Sequence, residues 1–86
     1  MEDKLQEFRS QIDAVDGKLL ELLNERARLA LQVGIAKGGE NIHRPEREAE
    51  IIRQLAEANK GPLANEAVRQ IFENIIAVCR TIQYNK

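Results

Sequence analysis

Arg26 stands where an apolar side chain belongs. The residues Leu5, Phe8, Ile12, Val15, Leu19, Leu22, Arg26, Leu29, Val33 and Ala36 recur at alternating steps of three and four, and Arg26 alone breaks the apolar run. A guanidinium in such a seam is costly unless it is paired or serves a ligand. Lys37 lies eleven residues further on, close to three helical turns, and returns to the same face. Glu48 precedes Ile51 and Ile52 by three and four, and Arg47 precedes Ile51 by four and Leu55 by eight, so both border a second apolar face. Gln83 follows Cys79 by four on a third. Three cations, Arg26, Lys37 and Arg47, with Arg44 beside them as a fourth, suit the clamping of carboxylates, which guanidinium grips in two-pronged fashion. Glu48 can accept a hydrogen bond from a hydroxyl, and Gln83 can donate an N–H to a neutral oxygen without carrying charge. The ligand implied is a small dianion bearing a hydroxyl.

Three helices are needed to bring these groups together. The seam predicts one long helix over about residues 3–37, interrupted in sequence only by Gly17 and Gly34, each of which costs about 1 kcal/mol relative to alanine. The glycines of "KGGEN" (residues 37–41) end it. "RPEREAEIIRQLAEAN" predicts a second helix over about residues 45–58, with Pro45 in the first turn, Glu46, Glu48 and Glu50 toward the positive end of the dipole, and Ile51, Ile52 and Leu55 as the apolar face. "NKGPLAN" is a turn. A third helix, about residues 65–83, carries the stripe Val68, Ile71, Phe72, Ile75, Cys79 and Ile82. No stretch alternates as a strand does. The chain of 86 residues is expected to form a single all-α domain of one long and two shorter helices.

The long helix has a further consequence. About 35 residues span roughly 50 Å, against a radius of gyration of about 12 Å for a compact domain of this size. Two shorter helices cannot cover it, and the simplest cover is a second copy, giving an intertwined homodimer. Arg9 fits the same scheme. It lies seventeen residues before Arg26, roughly 25 Å along one helix, which no side chain spans, and an antiparallel or crossed partner helix could deliver it from a second subunit.

Composition narrows the function classes. Thirteen Lys and Arg against fourteen Asp and Glu give a net charge of −1, with no global field for nucleic acid. Phe8, Phe72 and Tyr84 are the aromatic residues, too few for base-stacking platforms. No apolar run approaches the ~20 residues of a membrane span, and "MEDKLQEFRS" is unlike a signal peptide. One cysteine, Cys79, forms no intrachain disulfide and suits a reducing cytoplasm. His43 has no second His or Cys at metal-ligand spacing, and no glycine-rich phosphate loop is present.

The blocks "FRSQIDAVDGKLLELLNERARLALQVGIAK", "HRPEREAEIIRQL" and "IFENIIAVCRTIQ" resemble the all-helical chorismate mutases of the AroQ class over essentially the whole chain. "RPERE" is especially similar to the mutase domains fused to prephenate dehydratases. The resemblance implies conversion of chorismate to prephenate, a [3,3] rearrangement in phenylalanine and tyrosine biosynthesis that needs no cofactor or metal. It implies roles residue by residue. Arg9 serves the partner's site. Arg26 binds a substrate carboxylate. Lys37 contacts the ether oxygen and a carboxylate. Arg47 and Glu48 match the family's Arg-Glu pair, with Glu48 receiving the substrate hydroxyl, and Gln83 hydrogen-bonds the ether oxygen. Many members have Asp at the position of Arg44, so a main-chain role transfers there. Some have Ser at the position of Cys79, and this chain lacks that hydroxyl. A prephenate dehydratase, fused or separate, is the partner enzyme implied. An isochorismate–pyruvate lyase on the same scaffold, or a non-catalytic helical dimerisation module, are the competing readings. The module would not require Arg26, Lys37 and Glu48 together.

Overall fold

The computed structural model describes residues 2–38 and 44–84. They form three helices, α1 (Glu2–Ala36), α2 (Pro45–Ala58) and α3 (Asn65–Tyr84), with no strand among the described residues. The expected all-α class and helix order hold, with boundaries shifted by one residue at either end of α1 and at the end of α3. His43 and the end of the "KGGEN" segment lie outside the described residues.

α1 runs unbroken through Gly17 and Gly34 for 35 residues. It stops at a tight turn: Lys37 N–H donates to Val33 O and Gly38 N–H to Ile35 O, both at 3.0 Å. Gly38 has φ of 64°, the left-handed conformation in which a Cβ is strained, so the chain can leave the helix directly after Lys37. α2 begins with Pro45, whose missing N–H is one the first turn would leave unpaired anyway. Glu46 and Glu48 lie in its first turn, whereas Glu50 lies beyond it and pairs with Arg47. Asn59 organises the turn into α3. Its Nδ2 donates to Leu63 O and to Asn65 Oδ1, and its Oδ1 accepts from Gly61 N–H.

α3 is the central element. α1 and α2 each pack on it and not on each other. The buried apolar side chains are Ile52 and Ala56 of α2 with Val68, Ile76 and Cys79 of α3. The α3 stripe is therefore rotated from the one the sequence suggests. Ile71 is exposed, Phe72, Ile75 and Ile82 are half-buried, and Ile76 is buried in their midst. The reason is that α3 is sandwiched: its buried arc must face two helices at once, and Ile76 lies at the centre of that arc.

α1 is left largely uncovered. Its seam residues Leu5, Phe8, Ile12, Val15, Leu19, Leu22, Leu29 and Val33 are 46–61% exposed, and Gly34 is its one buried residue among those described. The chain measures 55 × 27 × 15 Å with a radius of gyration of 16.2 Å, well above the ~12 Å of a compact chain of this length. Its accessible surface is 6914 Å². A compact monomer of this mass exposes roughly 5,200 Å².

Candidate active site

Between α1 and α2, with α3 as floor, lies a cleft of about 590 Å³, within the range usual for small-molecule sites. α1 contributes Arg26, and Lys37 follows at its C-terminal turn. α2 and the residue before it contribute Arg44, Arg47 and Glu48, and α3 contributes Cys79, Arg80 and Gln83. Leu29, Val33, Ile51 and Ile76 supply apolar wall. Seven of the eight residues singled out in the sequence thus line one cavity. Arg9 does not. It is exposed on the far half of α1, on the same rigid helix as Arg26 and about seventeen residue rises away.

Arg26 and Lys37 are half-buried. Lys37 stands at the C-terminus of α1, where the helix dipole favours a cation. Arg47 is more exposed, with Nη1 donating to Glu50 Oε1 at 3.1 Å. Arg44 Nε lies 3.7 Å from Glu46 Oε1, a loose and exposed pair. Among the described residues five cations face the cleft against one carboxylate, Glu48, so this lining is strongly positive although the chain is nearly neutral. Such a cleft attracts a multiply charged anion.

Gln83 is held by backbone. Its Nε2 donates to Ala30 O at 2.9 Å, across from α3 to α1. An amide nitrogen has two hydrogens, so this bond orients the group and leaves a second donor. Gly34 faces this residue: a Cβ built there would lie 3.4 Å from Gln83 Cβ and 3.5 Å from its Cα, an ordinary van der Waals contact. Gly34 of α1 thus packs directly beside Gln83 of α3. Cys79 is buried as a free thiol.

Arg80 was not legible as a site residue from the stripe read in the sequence. Its Nε and Nη2 donate to Glu48 Oε2 and Oε1 at 3.1 and 2.9 Å, a two-pronged bond across 32 residues of chain. The signal that could have found it is Ile76. Once that residue is placed in the core, Arg80, four further on, falls on the inward arc. Among the described residues no three His, Cys, Asp or Glu side chains gather as a metal-ligand group, and no helix is long and apolar enough to cross a membrane.

Residues 8–84 match the family model described as chorismate mutase type II. The chain is 40% identical over 75 residues to the bifunctional chorismate mutase/prephenate dehydratase of Neisseria gonorrhoeae, covering 87% of this chain and 21% of that protein. It therefore spans about a fifth of the length of that relative. It is 35% identical over 86 residues to the chorismate mutase of Methanocaldococcus jannaschii, covering 96% of this chain and 87% of that one. In three dimensions it is similar to the crystal structure of chorismate mutase from Helicobacter pylori in complex with prephenate. The TM-score is 0.88 at 31% identity, over 94% of this chain and 90% of that one.

Proposed function

The chain belongs to the chorismate mutase type II family, and on that footing we propose that its cleft converts chorismate to prephenate in aromatic amino acid biosynthesis. The observation that carries the reading is the convergence of Arg26, Lys37, Arg47, Glu48 and Gln83, from three helices, on one positive cleft of about 590 Å³.

The reaction is internal to the substrate. The ether C–O bond breaks while a C–C bond forms between the enolpyruvyl arm and the ring, and no proton or electron pair is exchanged with the protein. Catalysis then reduces to holding a reactive conformer and favouring charge where it develops. Arg26 and Arg47 are placed to grip carboxylates. Lys37 binds a carboxylate and reaches the ether oxygen, which gains negative charge as its bond to the ring breaks. Gln83 offers the ether oxygen a second donor, with its amide preset by Ala30 O. Glu48 accepts the ring hydroxyl. Arg44 contributes through its main chain at the entrance of α2, and Cys79 supplies wall rather than a polar contact. The desolvation cost of Arg26 within an apolar seam is offset by the dianion it receives.

The functional unit we propose is an intertwined homodimer. Its support is the exposed seam of α1 and a surface roughly 1,700 Å² larger than a compact monomer would show. Twice that area falls in the range of obligate dimer interfaces. In this dimer the partner subunit's Arg9 enters the Arg26 site. A prephenate dehydratase, fused or separate, would consume the product, and the reducing cytoplasm is the compartment that an unpaired Cys79 suits.

The test is loss of chorismate by ultraviolet absorbance with purified protein, followed by identification of the product. Prephenate formation abolished by Lys37→Ala is expected. A well-folded chain that leaves chorismate unchanged would overturn the proposal.

A further inference from the structure

The ion pair of Glu48 with Arg80 differs in kind from its neighbours. Arg44–Glu46, Arg47–Glu50, Arg53–Glu57 and Arg69–Glu66 join residues two to four apart, through side chains 46–77% exposed. Glu48 and Arg80 join α2 to α3, with side chains only 21% and 31% exposed. Both oxygens of the carboxylate are engaged, one by Nε and one by Nη2. Such a fork fixes the plane of the carboxylate as well as its position. A pair serving only to tie two helices together is matched in stability by apolar residues of similar volume. This pair instead stands on the wall of the cleft and includes the one carboxylate that lines it among the described residues.

We infer that Arg80 is a positioning residue for the reaction: its fork presets the Glu48 carboxylate as the acceptor for the ring hydroxyl. The inference rests on the proposed mutase activity. Without the fork, Glu48 loses the two hydrogen bonds that set the plane of its carboxylate, while it shares the cleft with Arg26, Lys37 and Arg47. It can then fold against cations that the substrate carboxylates need. Arg80 acts through Glu48 and not on the reacting atoms.

A double-mutant cycle in kcat/KM tests this, with folding checked by circular dichroism and each variant assayed below its unfolding transition. Arg80→Met keeps the apolar stem and removes the fork. It should lower kcat/KM by ~10- to 100-fold, the range for removing a group that orients a ligand-binding side chain. Arg80→Lys should recover part of the loss. In a Glu48→Ala background, Arg80→Met should cost almost nothing further, since there is no carboxylate left to orient. An equal fold-loss in both backgrounds would show that Arg80 acts on the substrate itself and would overturn the inference. So would full kcat/KM in folded Arg80→Met protein, which would leave the pair a structural strap. Should Arg80→Met fail to fold, Arg80→Lys carries the same comparison. An inactive parent chain would mark failure of the mutase reading instead, before any variant is compared.

Discussion

The proposed sharing of one cleft by two subunits is tested by combining Arg9→Ala with Arg26→Ala. Both residues lie on the continuous helix α1, which holds them roughly 25 Å apart along its axis. No arginine side chain covers that distance, so Arg9 serves an Arg26 site only across a dimer. A charge-assisted hydrogen bond from an arginine to a substrate carboxylate is worth about 1.5–3 kcal/mol. Its loss should lower kcat/KM by ~10- to 150-fold. Equimolar variants allowed to exchange subunits should form about half heterodimers. In each heterodimer, one cleft combines intact Arg26 with the partner subunit's intact Arg9, and the other lacks both. About a quarter of all clefts are then whole, and chorismate consumption should recover to about a quarter of the parent rate. Activity that stays at the mean of the two variants after verified exchange would refute the shared-site reasoning. It would leave Arg9 acting within its own chain or not at all.

Gln83→Glu should lose ~10²- to 10³-fold in kcat at neutral pH, because an ionised carboxylate cannot donate to the ether oxygen and repels its growing charge. The introduced carboxyl donates only when protonated, so activity should rise as pH falls toward about 4.3, and a flat profile at parental level would sink the donor role. Gly17 lies opposite the apolar seam of α1, and a Cβ there meets nothing within 4 Å. Gly17→Ala should raise stability by about 1 kcal/mol in chemical denaturation, whereas a lower midpoint would mean that this face is covered as well. Leu19→Glu puts a charge into the exposed seam and should shift sedimentation from dimer to monomer with loss of activity. A stable, active dimer would show that copies do not associate through α1.

The three helices and most of the polar residues that line the cleft were legible in the sequence. Apolar spacing over residues 5–36 specified α1 because a helix repeats its face locally, and Pro45 and Gly38 mark ends through the backbone conformations they favour. Arg26, Lys37, Arg47, Glu48 and Gln83 were visible because each polar group interrupts or borders an apolar face, and such interruption is costly without a purpose. Tertiary structure decided what depends on how the helices turn toward one another. α3 lies between α1 and α2, which moved Ile76 into the core and Ile71 out of it. That same rotation brought Arg80 onto Glu48, a contact across 32 residues that no local periodicity encodes. It also set Gln83 against Ala30 O and beside Gly34. Periodicity tells which side of a helix is inward. Only packing tells which residues from different helices meet there, because that depends on crossing geometry rather than on spacing along any one of them.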